Sequence, residues 1–179
     1  AVEALGEMKT THGVFFVFAD SHIGTTFDGK GFAKHVKTMQ SENPDIVVVV
    51  GDFVDDDTSR ADMVAAVEAL GEMKTTHGVF FVFGNHDKGY HDPKNRGFTG
   101  SDLIAELQKN GVTVLQDETA FPRGDIALIG RQDASEKYRG VGLDSGSRRV
   151  GDALYDRNPQ SFGSVPHRSI RGFAYRHDI

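Results

Sequence analysis

The chain has 179 residues, of which 38% are hydrophobic and 26% are charged, and these values are ordinary for one soluble globular domain with its own core. Its formal net charge of −6 argues against a general nucleic-acid surface, because binding to a phosphate backbone normally needs a cationic patch. The chain has no cysteine, which excludes disulfides, thiolate ligands and a cysteine nucleophile.

The sequence has no feature that predicts a membrane segment, since none of its apolar runs approaches the ~20 residues of a membrane-spanning helix. The chain begins at Ala1, without a methionine and within a helix-like pattern, so we expect the native N-terminus to lie upstream. Nothing in the sequence indicates a compartment, and the cytoplasm is the default expectation.

Apolar runs and helical patterns alternate in the first half of the chain. The predicted elements are, in chain order, a strand at 14–18, a helix at about 31–41, a strand at 45–50, a helix that begins after a cap at Thr58 or Ser59 and precedes the turn at 77–78, and a strand at 79–83. The run at 45–50 is almost entirely β-branched, which is typical of a strand covered on both faces in a parallel sheet. This alternation predicts the α/β class, in which ligands gather at the carboxyl ends of the strands.

Further elements follow a polar segment at 88–100. The predicted ones are a helix at 102–110 with Ser101 as its cap, and two strands at 112–115 and 125–130 that are joined through 121–124. Composition then changes: residues 141–179 contain six arginines and no lysine, whereas residues 1–140 contain nine lysines and five arginines. Because apolar residues in 141–179 show no sustained period, we predict one α/β domain over 1–140 and a weakly ordered or foreign tail over 141–179.

An internal duplication is visible in the sequence, because residues 1–18 recur without any change at 66–83. Repeat architectures come in several imperfect copies, so a single perfect pair indicates a recent duplication, an engineered join or a sequence error rather than a functional repeat. The copy at 66–83 continues a capped helix and is interpreted as native. The strand portion of the first copy can still serve as a first core strand.

Three short polar motifs stand just after three of the predicted strands. They are Asp20-x-His22, Gly51-Asp52-x-x-Asp55 and Gly84-Asn85-His86-Asp87. Each alone is a weak signal, since Asp-x-His occurs by chance and Asn-His-Asp can form a capping cluster, but their joint occurrence past three strands is far less expected by chance. Parallel strands that end side by side bring such loops into one crevice. Carboxylate, amide and imidazole ligands suit Mn, Fe, Zn or Mg, and one carboxylate can bridge two ions.

These motifs resemble those of the calcineurin-like metallophosphoesterases, whose pattern is D-x-H, G-D-x-x-D, G-N-H-[DE], a lone His and G-H-x-H. The resemblance covers about residues 14–130. It implies a partial metallophosphoesterase-type α/β sandwich with parallel strands and alternating helices, and a metal site at the C-terminal ends of the strands. It also implies hydrolysis of a small phosphoric-ester substrate by a metal-bound hydroxide at a dinuclear centre of two divalent ions.

The resemblance also implies roles for individual residues. Asp20 and His22 bind the first metal, Asp52 bridges both metals, Asn85 binds the second, His86 protonates the leaving oxygen, and Asp87 orients the His86 imidazole and fixes its tautomer. In the same comparison, Asp55 is a supporting residue rather than a ligand.

The chain departs from the family pattern after the third motif. It contains no G-H-x-H, and the lone histidine has no clear counterpart, although His167 is a better candidate than His91 or His177. A solvated loop histidine is the alternative interpretation of His167. Without these ligands the second metal keeps only Asp52 and Asn85, so the competing hypotheses are a noncatalytic metal- or phosphate-binding fragment and an α/β domain with a chance constellation. A half-built sandwich would also leave an apolar sheet face and open strand edges.

Overall fold

The computed structural model describes residues 13–89 and 96–133. The chain divides into two units, 1–132 and 133–179, and every element below belongs to the first. The elements are, in chain order, β1 (Phe15–Phe18), α1 (Gly29–Gln40), β2 (Ile46–Val50), α2 (Arg60–Gly71), β3 (Val79–Val82), α3 (Gly100–Lys109), β4 (Thr113–Leu115), β5 (Glu118–Arg123) and β6 (Ile126–Gly130). The predicted alternation of strands and helices is confirmed, and the predicted tail lies outside the described residues.

Strands β1 to β4 form one parallel sheet in the order in which they occur in the chain. The three helices cover one face of this sheet, where Phe32, Met63 and Leu107 join Val49 and Phe81 in a single apolar cluster. Because all four strands run in the same direction, the loops after β1, β2 and β3 emerge at one edge of the sheet. The predicted α/β class is therefore confirmed.

An antiparallel hairpin, β5 and β6, packs against the opposite face of the sheet through Ile126. Strand β5 was not predicted, because Pro122 reads as a break in the strand pattern. The structure accommodates it at an irregularity, since the register of the hairpin shifts between Ala120 and Arg123. A proline has no N–H to donate to a ladder, so a bulge is a position at which a strand tolerates one.

The helix ends follow side-chain caps. The hydroxyl of Ser59 accepts a hydrogen bond from the Asp62 amide at the start of α2, as one of the two predicted caps requires. The predicted cap of α3, Ser101, is wrong: Thr99 caps it, with Thr99 and Asp102 forming a reciprocal capping box that begins the helix earlier. None of the helices within 13–89 and 96–133 combines the length and apolar content that a bilayer span requires.

The duplicated strand has different surroundings in its two places. In β3, at the centre of the sheet, Phe80 is 5% exposed, whereas the equivalent Phe15 in the edge strand β1 is 36% exposed. Val17, in the same edge strand, is 63% exposed. Strand β1 therefore exposes two apolar side chains. Residues 1–12 of the first copy lie outside the described residues.

Asp45 holds β1 in place. Its carboxylate accepts hydrogen bonds from the Val14 amide at 2.9 Å and from the Thr76 hydroxyl at 2.7 Å, which joins the first strand to the loop before β3. Gly13 fits beside this carboxylate only because it has no side chain, since a Cβ there would lie 2.6 Å from the Asp45 Oδ2. The hydrogen bonds from Thr76 and Val14 hold the pKa of Asp45 below its usual value of 3.8.

Replacing Asp45 by asparagine should lower the free energy of unfolding at pH 7 by about 1 kcal/mol, because hydrogen bonds to a charged acceptor are lost. A folded-state pKa below the unfolded value of 3.8 means that this stabilisation is present above pH 3.8 and is lost as the pH falls through the folded pKa. Urea unfolding of both proteins between pH 3 and pH 7 measures this. A stability difference that stays constant down to pH 3 would contradict the prediction.

Candidate metal centre

Backbone hydrogen bonds join the loops that carry the three motifs. The Asp20 amide donates to the Gly51 carbonyl at 3.1 Å, and the His22 amide donates to the Asp52 carbonyl at 3.0 Å, so the loop after β1 lies along the loop after β2. The His86 amide donates to the Asp52 Oδ1 at 3.2 Å, which adds the loop after β3. The three motifs therefore meet at the carboxyl edge of the sheet, as predicted.

Two motif glycines permit this close approach. A Cβ on Gly84 would clash with the Asp52 carboxylate and would lie 2.6 Å from the Asp52 amide nitrogen. A Cβ on Gly51 would lie 2.8 Å from the Gly84 amide nitrogen, and Gly51 also has a φ of +76°. Side chains at either position would separate the second motif from the third, so the glycines are required by contact between the loops.

The predicted ligands of the first metal have unusual backbone conformations. Asp20, His22 and Asp52 have φ values of 54°, 41° and 50°, which lie in the left-handed region that residues other than glycine seldom adopt. Such conformations persist only where surrounding structure holds them, and they cluster at functional sites. Asp20, His22 and Asp52 lie on loops that the hydrogen bonds described above join to each other. The strained backbone conformations therefore occur at motif residues.

A divalent ion fits the donor atoms that these residues present. One ligand atom each from Asp20, His22 and Asp52 lies within 4.8 Å of the others. Two carboxylates and an imidazole form a donor set that suits Mn, Fe, Zn or Mg. The three residues predicted to hold the first metal are thus brought together, on half-buried or exposed positions that an ion can reach.

Asp55 lies between the two motif histidines. Its Oδ2 is 2.9 Å from the His22 Nδ1, and its Oδ1 is 3.1 Å from the His86 Nδ1. Burial by itself raises the pKa of Asp55, but the amide of Asp56, both histidines and Thr25 outweigh burial and hold that pKa below its usual value. Asp55 is therefore a carboxylate acceptor for both imidazoles. Its supporting role stays a prediction, because one ligand atom each from His22, Asp55 and His86 also lies within 4.8 Å of the others.

Asp87, which we expected to orient the His86 imidazole, has other partners in the described structure. Its side chain is fully buried, and its carboxylate accepts hydrogen bonds from the amides of Phe53 at 2.8 Å, Val54 at 3.0 Å and Gly84 at 2.8 Å. Asp87 therefore ties the loop after β2 to the loop after β3.

The electrostatics of Asp87 follow from this burial. Removal from water raises the pKa of Asp87 to about 7. Three hydrogen bonds from backbone amides oppose this increase, and the bond from Val54 has the largest effect. The neighbouring charge of Asp52 adds to the increase. Within the described residues, the Asp87 carboxylate makes no hydrogen bond to the His86 ring, whereas the Asp55 carboxylate contacts that ring directly.

Asn85, the predicted ligand of the second metal, lies half-buried in the turn that follows β3. It stands between Gly84 and His86, both of which contact Asp52 in the ways described above. Its role as a ligand of a second ion stays a prediction. The histidines considered as further ligands, His91, His167 and His177, lie outside the described residues.

The sequence did not predict the burial of two polar residues in this region. Thr58 is fully buried, and its hydroxyl accepts from the Asp55 amide at 2.6 Å while donating to the Ile23 carbonyl. Arg96 is 1% exposed and contacts the turn that follows β3. Thr58 stands at a helix start and Arg96 in a polar loop, so nothing in the local pattern distinguishes them from surface residues.

Known proteins have sequences similar to that of this chain. A family model described as calcineurin-like phosphoesterase matches residues 13–160. A Bos taurus transmembrane protein with a metallophosphoesterase domain is 32% identical over 140 residues, which are 72% of this chain and 30% of that protein. An uncharacterized metallophosphoesterase of Aquifex aeolicus is 28% identical over 122 residues, 68% of this chain and 43% of its own.

Among solved structures, the crystal structure of the Pseudomonas putida nuclease MPE aligns with 60% of this chain and 50% of its own, at 20% identity and a TM-score of 0.41. The chain spans less than half the length of the two curated relatives above. The family model covers most of the chain, including all three motifs. The chain therefore belongs to the calcineurin-like phosphoesterase family.

Proposed function

We propose that this chain hydrolyses phosphoric esters with a dinuclear centre of divalent metal ions at the carboxyl edge of its parallel sheet. The observation that supports this most is the convergence of ligand atoms from Asp20, His22 and Asp52 within 4.8 Å. His86 is held beside them through its bonds to Asp52 and Asp55. Membership of a metal-dependent phosphoesterase family agrees with this chemistry.

Each ligand has a separate part in holding the ions. Asp20 and His22 would bind the first ion, Asp52 would contact both, and Asn85 would bind the second. Bound divalent ions supply Lewis-acid stabilisation of the phosphoryl oxygens and activate a water for attack. The positive charge of bound ions would also allow a chain with a net charge of −6 to bind an anionic substrate. Side-chain cations would then not be required.

The Asp55 carboxylate orients the imidazole rings of His22 and His86 and selects their tautomers. When the His22 Nδ1–H donates to Asp55, the lone pair that can bind a metal lies on Nε2, and an outer carboxylate of this kind orients the ring and raises its basicity. When the His86 Nδ1–H donates to the same carboxylate, the proton for the leaving oxygen comes from Nε2. We therefore propose Asp55, in place of Asp87, as the residue that orients the His86 imidazole.

A second candidate function is a noncatalytic metal- or phosphate-binding module. It is favoured by the ligand count, since the family pattern assigns only Asp52 and Asn85 of the described residues to the second ion. Such a module would bind about one ion per chain and would not turn over a phosphate ester. Calorimetric stoichiometry combined with turnover separates the two functions.

Addition of Mn²⁺ to the metal-free protein is expected to raise the melting temperature and to support hydrolysis of p-nitrophenyl phosphate or bis(p-nitrophenyl) phosphate. Ion concentrations about a hundred times the Kd should add about 2.7 kcal/mol to the free energy of unfolding. Differential scanning fluorimetry and release of p-nitrophenol measure both effects, with EDTA as the reversing control. Absence of any effect with Mn²⁺, Zn²⁺, Fe²⁺ and Mg²⁺, or hydrolysis that survives EDTA, would overturn the proposal.

A further inference from the structure

An arginine is buried behind the third motif. Arg96 is 1% exposed, which is unusual for a residue whose charge is costly to remove from water. Burial lowers the pKa of its guanidinium, and the neighbouring carboxylates of Asp87, Asp56 and Asp55 oppose that change. An arginine keeps its proton under these conditions, so a fixed positive charge lies next to the acidic loops.

The Arg96 guanidinium donates hydrogen bonds to two consecutive backbone carbonyls of the third motif. Its Nη1 donates to the His86 carbonyl at 2.7 Å, and its Nη2 donates to the Asp87 carbonyl at 2.9 Å. The Gly89 amide donates to the same His86 carbonyl at 3.0 Å, which closes the turn. A planar fork with two donors fixes both acceptors relative to each other, and a flexible ammonium group cannot do this in the same way.

The surroundings of Arg96 are shaped to keep it in this position. The guanidinium carbon lies 4.2 Å from the ring centroid of Phe98, over the face of a buried aromatic ring. Gly89 has a φ of +65°, and a Cβ there would lie 2.9 Å from the Arg96 Nη1. The turn therefore makes room for the arginine with a glycine, and the Phe98 ring packs against the guanidinium.

The contacts of Arg96 continue to the imidazole of His86. The carbonyl of His86 is held by Arg96, its amide donates to the Asp52 Oδ1 at 3.2 Å, and its Nδ1 lies 3.1 Å from the Asp55 Oδ1. The residue is thus held at its carbonyl, at its amide and at its ring. Without Arg96, the His86 carbonyl would keep only the Gly89 amide as a donor among the described residues, so we expect the peptide to turn more freely and the ring to lose its alignment with Asp55.

We propose that Arg96 is a positioning residue for His86, which keeps the imidazole aligned by fixing the carbonyls of His86 and Asp87. The inference rests on the proposed function, in which His86 transfers a proton. Arg96 acts from behind the turn and has no contact with the reacting atoms in this role. A misplacement of about 1 Å in a catalytic group can reduce the rate by about a hundredfold, so the effect should be measurable.

Replacing Arg96 by lysine keeps the charge and removes the forked donor. The Arg96→Lys protein is expected to fold, to lose about 10- to 100-fold in kcat and to keep its KM within about twofold. Arg60→Lys is the matched control, because Arg60 donates to the Gly97 carbonyl at 3.3 Å from a side chain that is 58% exposed. Equal kcat losses in the two variants would overturn the proposal.

A double-mutant cycle separates positioning from general damage. In a His86→Ala background, Arg96→Lys is expected to cause no further loss of kcat, because the residue that it positions is already gone. If Arg96 were only a structural support, the two losses would multiply, and that result would overturn the proposal. Should Arg96→Lys not fold, Phe98→Leu keeps the arginine, loosens its support and is tested in the same cycle.

A measurement without catalysis keeps this inference distinct from the proposed function. In NMR spectra of the metal-free protein, Arg96→Lys is expected to shift the ring resonances of His86 and the amide resonances of 86–89, whereas Arg60→Lys leaves them unchanged. Unchanged resonances in the lysine variant would overturn the positioning role, even if hydrolysis is observed. If the unaltered protein hydrolyses no ester with any ion, the proposed function fails, and the spectra still decide whether Arg96 positions His86.

Discussion

Replacing Asp52 by asparagine is expected to abolish both the stabilisation by Mn²⁺ and the hydrolysis of phosphate esters. Asp52 lies among the ligand atoms of Asp20 and His22 and is the residue expected to contact both ions. The amide side chain keeps one oxygen but loses the charge and the second donor oxygen. Loss of a partner that only supports a metal ligand reduces affinity or activity about 10- to 100-fold, so loss of the ligand itself should exceed about a hundredfold.

The melting temperature of the metal-free protein gives an internal check on that result. Asp52→Asn removes one charge from an acidic cluster, so without metal the melting temperature should not fall. Asp57→Asn is the control, since Asp57 is an exposed acid on the loop after β2 and should leave metal binding and activity unchanged. If Asp52→Asn retains the Mn²⁺-induced increase, or if Asp57→Asn loses it, the ligand assignment is wrong.

Replacing Asp87 by asparagine is expected to lower the free energy of unfolding by about 1 to 3 kcal/mol, because a buried backbone amide loses its acceptor. The fully buried carboxylate accepts three backbone hydrogen bonds from the amides of Phe53, Val54 and Gly84. An asparagine keeps one acceptor oxygen and turns N–H donors toward at least one of these amides. Urea unfolding of the metal-free protein measures the loss.

Asp57→Asn serves again as the control for this change and should alter the free energy of unfolding by less than about 0.5 kcal/mol. The comparison also tests the functional assignment of the two carboxylates. Asp55→Asn should reduce hydrolysis with a smaller cost in stability, because Asp55 lies at the histidine rings and is only partly buried. A pair of variants that reverses this order would contradict the proposed roles of Asp55 and Asp87.

The pattern of the sequence was sufficient to predict the elements that build the site. The β-branched run at 45–50 predicted a central strand, and Ile46–Val50 forms the second strand of the parallel sheet. The helix predicted after a cap at Thr58 or Ser59 is α2, and it buries Met63, Val67 and Leu70. Such patterns are local, and they persist because each element must bury one face whatever its neighbours are.

These local patterns could not predict hydrogen bonds between segments that are distant in the chain. The family resemblance suggested Asp87 as the partner of the His86 ring, whereas the fold brings Asp55, which lies 31 positions earlier, to that ring. In the sequence Arg96 is one more polar residue of a loop, and only the folded turn places its guanidinium on the His86 carbonyl. The cap of α3 at Thr99 was missed because two neighbouring hydroxyl residues compete for the same position.

The two copies of the duplicated strand show what the sequence alone does not decide. By itself the sequence determined that the run Val-Phe-Phe-Val-Phe forms a strand in both copies, and that the three motifs follow strands. Only the tertiary structure decided that Phe80 is 5% exposed at the centre of the sheet while Phe15 is 36% exposed at its edge. Strand formation depends on local bulk and branching, whereas burial and the meeting of Asp20, His22 and Asp52 depend on which segments lie alongside.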